Sequence, residues 1–295
     1  MVVNSCAVSP DGGRVAVAGR ELLRTYSLSG AAQQNVDLLA HTRKASSHSS
    51  NDVSWLTQRP AQLVTGSISG EVLLWDTTRR GSRLVRTMAG HGRAVNRVVC
   101  TSDEPPRLLS GSQDCTVRLW DLNVRNAAQL TFGAAGEVRD VQWASPAQGG
   151  VGGSGTAAGG GGGGEAPLAH CLAAALETGG VQVFDVRSNR RALYSWQAHS
   201  GPCYTLDWLQ GGRGRLLLAT GGRDRHLLVW DVGAAVSASA EAGRASALRR
   251  RHDSDIPLSI HPIATVLTIA PVARLRWRPS SAAAAGAGGG GGGGG

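Results

Sequence analysis

A short apolar strand with an acidic end recurs along this sequence at an almost constant spacing. Four copies share the pattern, three ending in Trp-Asp and one in Phe-Asp: Val72–Asp76, Val117–Asp121, Val181–Asp185 and Leu228–Asp231. Trp75 and Trp120 are 45 positions apart, and Phe184 and Trp230 are 46 apart. Between Trp120 and Phe184 the spacing is 64, and a Gly-rich tract lies there. The chain is therefore predicted to consist of repeats of about 45 residues with insertions.

A second set of strands ends in Trp, or once in Cys: Val53–Trp55, Val98–Cys100, Val141–Trp143, Leu206–Trp208 and Leu275–Trp277. Small-residue turns separate the two sets, and the Gly90-His91 dipeptide precedes one repeat. Several short strands of period 2 per repeat, a Trp-Asp ending and a Gly-His pair are typical of propeller blades. The sequence predicts an all-β fold, a WD-repeat β-propeller.

The number of repeats predicts an incomplete ring. Five complete blades are expected, which end near Tyr26, Trp75, Trp120, Phe184 and Trp230. Residues Ile269–Trp277 then supply the first strand of a sixth blade of a propeller that has seven in the parent fold. Because unpaired sheet edges are costly, either the chain is truncated or a partner supplies strands. The abrupt change to low-complexity sequence favours truncation.

Low-complexity segments set the domain boundaries. A partial propeller is predicted over residues 1–279, with flexible insertions at about 147–166 and 234–262, and a disordered Ala/Gly tail over 280–295. Tracts of Gly, Ala and Ser cannot bury enough apolar surface to fold.

The same four residue types recur in two blades: His91, Ser110, Asp114 and Trp120, then His199, Thr220, Asp224 and Trp230. A Ser, a His and an Asp also make up a nucleophilic triad. However, an active site would not recur at the blade period, whereas a buried hydrogen-bond relay would. We therefore predict two structural relays, no catalytic residue and no enzymatic activity.

Two other blades lack parts of this set and are expected to be looser. One has Thr65 but carries Ser69 where the turn Asp would be, and another has Ala174 and Thr178 at the two positions. In a blade with the relay, Asp114→Ala is predicted to cost about 1–3 kcal/mol, because buried partners lose their hydrogen bonds.

The net charge of +9 is weak evidence for a nucleic-acid partner. Lys44 is the only lysine among 30 basic residues, and the arginines are scattered. The densest run, Arg249-Arg250-Arg251, lies in a predicted insertion. The five cysteines form no C-x-x-C pair, so neither a zinc site nor a cofactor is predicted. The amino terminus has no signal-peptide pattern, and no apolar run is long enough for a membrane span.

Five segments carry a more specific likeness: Val15–Arg20, Leu109–Asp114, Val138–Trp143, Ala219–Asp224 and Thr268–Pro279. In these the chain resembles the amino-terminal propeller of the WD repeat-containing protein 24 family, subunits of the second GATOR complex, called SEA in yeast. The likeness covers most of residues 1–279 outside the insertions. Its last segment, with the pattern Val-Ala-Arg-x-x-Trp-Arg-Pro, departs most from the general propeller consensus.

The resemblance implies a scaffold in amino-acid signalling to the TORC1 kinase, cytoplasmic and recruited to the lysosomal or vacuolar surface. It implies that the partners are other propeller proteins of a multi-subunit complex, with no small-molecule substrate and only indirect membrane contact. The family's carboxy-terminal half, with α-solenoid and zinc modules linked to ubiquitin transfer, is not in this sequence. No zinc site or ligase activity is therefore expected here.

Two other functions remain open from the residues. Phe184-Asp185-Val186-Arg187 approximates the box that substrate receptors of cullin ubiquitin ligases use, and Arg187 would then contact the adaptor. Alternatively, Arg249, Arg250 and Arg251 would bind nucleic acid or an anionic membrane by charge. The scaffold is favoured over both.

Overall fold

A computed structural model gives the architecture of the chain. The structure describes ten stretches, with gaps between them: residues 2–28, 35–42, 48–101, 106–124, 128–144, 170–187, 191–210, 215–245, 256–257 and 259–277. The predicted insertion at 147–166, the tail at 280–295 and the run Arg249–Arg251 lie outside these stretches.

The described residues form five sheets, numbered here as blades 1 to 5; each has four antiparallel strands, and one of them carries a fifth, short strand. Blade 1 contains β1 (Val2–Val8), β2 (Arg14–Arg20), β3 (Leu22–Ser27) and β4 (Val36–Asp37). Blade 2 contains β5 (Ser50–Leu56), β6 (Arg59–Ser67), β7 (Val72–Asp76) and β8 (Leu84–Met88). Blade 3 contains β9 (Val95–Cys100), β10 (Arg107–Ser112), β11 (Thr116–Asp121) and β12 (Ala128–Gly133).

The last two blades have the same plan with additions. Blade 4 contains β13 (Val138–Trp143), β14 (Cys171–Leu176), β15 (Gly180–Asp185) and β16 (Tyr194–Gln197). Blade 5 contains β17 (Cys203–Gln210), β18 (Leu216–Gly222), β19 (His226–Asp231) and, after helix α1 (Val232–Ala245), β21 (Pro262–Leu267). A short strand, β20 (Ile256–Pro257), pairs in parallel with the outer edge of β16. The predicted WD-repeat propeller and its five blades are confirmed.

Alternating side chains along each blade enter two different cores. In blade 3, for example, Leu108 and Trp120 pack toward blade 2, whereas Leu109 and Leu119 pack toward blade 4. Four such clusters fill the spaces between consecutive blades. Both faces of an inner blade are therefore buried, which explains why its strands are apolar on both sides.

Three glycines allow the inner strand of each next blade to approach closely. An added Cβ at Gly66 would lie 2.7 Å from Cγ1 of Val95, and one at Gly111 would lie 2.6 Å from Cγ1 of Val138. The equivalent contact at Gly221 is 2.4 Å from Cγ1 of Val272. Val272 therefore occupies the place of an inner-strand valine next to blade 5.

The segment that ends in Trp277 has the position predicted for a sixth inner strand. The Trp277 indole donates to the Asp207 carbonyl at 3.1 Å, as the Trp55 indole donates to the Ala7 carbonyl at 3.0 Å. Val272 N donates to the Gly222 carbonyl at 3.1 Å. Within the described residues this segment joins no sheet, so it is extended without being part of a ladder.

The strands at the two ends of the row of blades expose apolar side chains. In β1, Val2, Val3 and Val8 are exposed. All six residues of β21 are exposed, and Ile269, which follows it, is completely so.

Helix α1 is where the structure departs from our expectation of a flexible insertion at 234–262. The segment is rich in Ala, the strongest helix former, and its start is capped by Asp231, whose Oδ1 accepts from Ala234 N at 3.0 Å. Val232 and Val236 are buried in the core between blades 4 and 5. The spacing of 69 positions between Trp208 and Trp277 indicates an inserted segment, but it does not show how that segment is capped or packed.

Candidate functional site

The structure brings the four predicted residues of blade 3 together. His91 lies in the connection from β8 to β9, and its Nε2 is 2.7 Å from Ser110 Oγ. The Trp120 indole N–H donates to the same Oγ at 2.8 Å. On its other side, His91 Nδ1 is 3.0 Å from Asp114 Oδ2. A continuous chain of hydrogen bonds thus joins strands β10 and β11 to the turn between them and to the preceding loop.

Blade 5 repeats this geometry. His199 Nε2 is 2.9 Å from Thr220 Oγ1, to which the Trp230 indole also donates at 2.9 Å. His199 Nδ1 is 2.9 Å from Asp224 Oδ1. Asp224 in turn accepts from the backbone N–H of Ser200 at 3.1 Å. The two sets are copies, as the blade period predicts.

The protonation of the relay follows from its acceptors and from burial. The Asp114 carboxylate can only accept, so His91 Nδ1–H donates to it, and Nε2 of the neutral imidazole then accepts from Ser110 Oγ, which itself accepts from the Trp120 indole. Burial lowers the pKa of His91 despite the neighbouring carboxylate. Burial raises the pKa of Asp114, but hydrogen bonds from Thr116, Gly92 and His91 outweigh it and lower the pKa overall. The relay is therefore a neutral imidazole beside a charged carboxylate.

The hydroxyl groups of both relays are out of reach of a substrate. Ser110 and Thr220 have no exposed surface, and each hydroxyl is occupied by the indole and the imidazole. A nucleophile must reach its substrate, and its base must be available to take the proton. The geometry supports a structural role.

Blade 2 has part of the relay. The Trp75 indole donates to Thr65 Oγ1 at 3.0 Å, and the imidazole of His48 lies edge-on to the Trp75 ring. Ser69 Oγ, at the place of the turn Asp, lies 2.9 Å from Ser67 Oγ. His48 Nε2 lies 2.8 Å from Ser50 Oγ. The indole is thus satisfied without an acidic residue in the turn.

Blade 4 replaces the relay with apolar packing. Phe184, Ala174 and Leu176 are buried in one cluster with blade 3. Thr178, at the place of the turn Asp, is exposed. Because Phe has no indole N–H, the absence of a hydroxyl at Ala174 leaves no polar group without a partner. The expected looseness of blade 4 therefore has no support in its packing.

A second polar arrangement, which sequence reasoning missed, lies on the inner strands. Each of its residues lies three positions before the place that Trp55 has in the inner strand of blade 2. We call these six residues the inner polar belt: Ser5, Asp52, Arg97, Asp140, Thr205 and Arg274. Of these, Asp52 and Asp140 are each 1% exposed. Carboxylates this deeply buried require ion pairs and hydrogen bonds.

Asp52 is the most heavily bonded member of the belt. It accepts from Ser5 Oγ at 2.7 Å, from Arg97 Nη1 at 3.0 Å and from the N–H of Val98 at 3.0 Å. Arg274, 222 positions later in the chain, donates to it at 3.1 Å. Asp52 thus ties blades 1, 2 and 3 to the segment next to blade 5.

Asp140 makes the equivalent bonds between blades 4 and 5. It accepts from Thr205 Oγ1 and from the N–H of Leu206, both at 3.1 Å. Arg97 Nε lies 2.9 Å from its Oδ1, so this guanidinium bridges the two acids. Burial raises the pKa of Asp140, and Arg97 and Arg274 lower it only in part. Burial lowers the pKa of Arg97, but the acids outweigh this and raise it.

The belt extends to the segment that ends in Trp277. Asp207 Oδ2 accepts from the N–H of Trp277 at 2.8 Å, and burial raises the pKa of Asp207 to about 6. The Gln142 carboxamide oxygen, oriented toward the arginines, accepts from Arg97 Nη2 at 2.9 Å and from Arg276 Nη2 at 2.8 Å. Two arginines of the predicted family segment, Arg274 and Arg276, are thus bonded to buried polar side chains of the inner strands.

Of the predicted interaction residues, Arg187 is not brought together with the relays, and Arg249, Arg250 and Arg251 lie outside the described stretches. Arg187 is exposed and pairs with Asp185 of the same turn at 3.1 Å. Within the described stretches, no group of three or more His, Cys, Asp or Glu side chains could hold a metal ion. Burial raises the pKa of Cys100 and Cys171 to about 12, which keeps these thiols protonated.

Sequence comparison agrees with the repeat geometry. A profile of the WD domain, G-beta repeat family matches residues 82–121 and 190–231. These segments contain the two complete relays and end at Asp121 and Asp231. The profile thus matches the two blades in which His, Ser or Thr, Asp and Trp are all present.

Three curated relatives cover nearly the whole chain. Each is named GATOR2 complex protein WDR24 or Wdr24, and each alignment covers 94% of this chain and 30% of the relative. The identity is 28% with the protein of Danio rerio, 29% with that of Xenopus laevis and 30% with that of Drosophila melanogaster. The chain thus spans about a third of the length of these relatives. No helix in the described stretches is both long and apolar enough to cross a membrane.

Proposed function

We propose, from the premise that this chain is a WDR24-like amino-terminal WD-repeat region, that it is a non-catalytic protein-interaction scaffold of a GATOR2-type complex. The observation that carries the proposal is the similarity along 94% of the chain to proteins named for that complex. The fold is in keeping with it, because rigid blades present their loops and edges for binding.

The non-catalytic part of the proposal is supported by the burial of the relay hydroxyls. Ser110 and Thr220 are the nucleophile-like residues of the two sets, and neither reaches the surface. Their partners recur in register in two blades, as structural elements do.

The proposed partners are other propeller proteins of the same multi-subunit complex, without a small-molecule substrate. We place the chain in amino-acid-dependent signalling to TORC1, in the cytoplasm and at the lysosomal or vacuolar surface. Membrane contact would be indirect, through the assembled complex. This part rests on the names of the relatives and on the family resemblance.

The alternatives have less support. As a cullin adaptor contact, Arg187 would have to leave the carboxylate of Asp185, with which it forms an ion pair. Binding of nucleic acid or membrane through Arg249–Arg251 depends on residues outside the described stretches.

Affinity purification of the tagged 295-residue chain from cells, followed by mass spectrometry, tests the proposal. We expect other GATOR2-type subunits in amounts well above those recovered with an unrelated propeller of similar size. Recovery of a cullin adaptor that is lost with Arg187→Ala would instead establish the receptor function. A folded chain that recovers neither would refute the scaffold proposal.

A further inference from the structure

Five arginines surround the loop between β7 and β8, on the face of the propeller opposite the relay turns. We call them the arginine corner: Arg59, Arg79, Arg80, Arg83 and Arg86. Arg79 and Arg80 are exposed, and the other three are half-buried. The side chains of this corner reach from blade 2 onto both neighbouring blades.

The partners of these arginines are neutral oxygens. Arg86 donates to the carbonyls of Leu122 and Val124 at 3.2 and 2.9 Å, and Arg59 donates to the Asn123 side chain at 2.7 Å. On the other side, Arg83 donates to the Asp37 carbonyl at 3.3 Å. These bonds hold the guanidinium groups in place without neutralising their charge.

Arg79, one of the two exposed arginines, also contacts a neutral oxygen. Arg79 donates to the Leu84 carbonyl at 3.3 Å. Within the described stretches, none of the five forms an ion pair with a carboxylate. The positive charge of the corner is therefore uncompensated by direct contact.

Several arginines elsewhere on the surface pair with carboxylates. In blade 5, Arg215 lies 2.6 Å from Asp231, and Arg187 of blade 4 lies 3.1 Å from Asp185. On the opposite face, Arg93 pairs with Glu137 at 2.7 Å. The arginine corner thus differs from these three sites because its arginines contact neutral oxygens and not carboxylates.

The carboxylates nearest the corner already have other donors. Asp76 accepts from Thr78 N and Oγ1 at 2.9 and 2.6 Å, although the charge of Arg79 contributes to lowering its pKa. The Asp37 carboxylate pairs with Arg24 at 3.2 Å. The corner therefore retains capacity for additional anionic groups.

Resting on the proposed scaffold function, we propose that the arginine corner binds an extended acidic segment of a partner protein. The five arginines all belong to blade 2, and their side chains reach toward blade 1 on one side and blade 3 on the other. A chain bearing several carboxylates therefore fits them better than a single phosphate. Arg can bind a carboxylate with two parallel hydrogen bonds, so each guanidinium can hold one acidic side chain of such a segment.

The strand beside the corner offers a place for that segment. Strand β8 is the outermost of blade 2, and no strand in the described part of the chain pairs with its outer edge. In blade 4 the equivalent edge of β16 carries the short strand β20. An outer blade edge of this fold thus accepts a further extended segment, and an acidic one at β8 would meet Arg86 on the strand itself.

The test measures binding of fluorescent poly-L-glutamate to the 295-residue chain by anisotropy at about 0.15 M salt, where distant charges are screened. The variant Arg79→Gln/Arg80→Gln removes two exposed charges from the corner. Arg223→Gln/Arg225→Gln, on the opposite face and also exposed, removes the same charge and is the matched control. Thermal melts verify that both variants are folded.

We expect the corner variant to bind the probe about fivefold more weakly, in keeping with the loss of two exposed ion pairs, and the control to bind within about twofold of the wild type. Equal losses in the two variants would show that only net charge matters and would overturn the proposal. The proposal would also fail if the corner variant lost only binding to phosphatidylserine vesicles or to oligo-dT. It would fail likewise if the variant bound the probe normally and merely self-associated, since charged residues also protect sheet edges.

The outcome is separable from that of the scaffold proposal. If the chain recovers GATOR2-type subunits but the corner variant binds poly-glutamate normally, only the corner proposal fails. If the corner binds the probe selectively but no subunits are recovered, only the scaffold proposal fails.

Discussion

Blades 3 and 4 place different chemistry at equivalent positions. In blade 3, Trp120 is bonded through Ser110 to His91, whereas in blade 4 the buried Phe184 and Ala174 belong to an apolar cluster. Ala134, at the place of His91, packs against the same cluster. Removal of one member of a buried hydrogen-bonded set is costly, but replacement of all of them by apolar groups can be nearly neutral.

In blade 4 a different side chain accepts the hydrogen bond that Asp114 of the turn accepts in blade 3. In blade 3, Asp114 accepts from the N–H of Gly92 at 2.9 Å. In blade 4, the equivalent N–H of Ala135 is bonded to Gln182 Oε1 at 2.9 Å. In both blades the loop N–H therefore has a hydrogen-bond acceptor. The relay of blade 3 and the apolar cluster of blade 4 are two alternative ways to stabilise a blade.

The largest effect is expected when the chemistry of blade 3 is placed in blade 4 without its partners. Phe184→Trp adds volume to a fully buried site and introduces an indole N–H where Ala174 offers no hydroxyl. We predict a loss of about 2–4 kcal/mol in the free energy of unfolding, measured by urea denaturation. Addition of Ala174→Ser should restore part of the lost free energy of unfolding. If Phe184→Trp alone left this free energy unchanged, the comparison of the two blades would be wrong.

Removal of one relay member should have the next largest effect. Asp114→Ala leaves His91 Nδ1 and the N–H groups of Gly92 and Thr116 without their acceptor. The predicted loss is about 1–3 kcal/mol in the same measurement. Thr178→Ala, at the exposed equivalent position of blade 4, is the control and should change stability by less than about 0.5 kcal/mol.

The pH dependence of stability should differ between chains with and without relay histidines. Burial lowers the pKa of His91 and His199 in the folded state, so the unfolded chain binds more protons as the pH falls below about 6.5. The wild type should therefore lose more unfolding free energy between pH 7.5 and 5.5 than His91→Gln/His199→Gln does. Asp207, with a pKa of about 6, is common to both proteins and cancels in the difference. Parallel pH profiles would contradict the protonation assigned to the relays.

The smallest effect is expected outside both cores. Arg187→Ala removes an ion pair with Asp185 in which the arginine side chain is 51% exposed. Such pairs contribute from near zero to about 1 kcal/mol, and the urea midpoint should therefore move little. A loss as large as that of Asp114→Ala would mean that the stability of blade 4 depends on its surface and not on its apolar core.

The features that repeat could be predicted from the sequence, and those that do not repeat could not. The relays recur with the same residue types, so His199 and Asp224 were found from their spacing to Trp230. The inner polar belt places Ser, Asp, Arg, Asp, Thr and Arg at one structural position, so its members have no common residue type. What the members share in the sequence is a fixed offset of three residues before the place aligned with Trp55, which is Val8 in blade 1 and Trp or Cys in the others.

The arginine corner and helix α1 show two further limits. Whether an arginine contacts a carboxylate or a neutral oxygen can depend on residues distant in sequence, as Arg86 donates to the Leu122 carbonyl. Helix α1 depends on a cap by Asp231 and on the burial of Val232 and Val236, which Ala-rich composition alone does not reveal.

The central claim is that the relay acts as one structural unit, and a double-mutant cycle of Ser110→Ala and Trp120→Phe tests it most directly. Measured by urea denaturation, the double variant should lose about 1 kcal/mol less than the sum of the two single losses, because removal of the indole N–H eliminates a group that Ser110→Ala alone leaves unpaired. Losses that add within about 0.3–0.5 kcal/mol would show that Ser110 and Trp120 act independently and would contradict the claim.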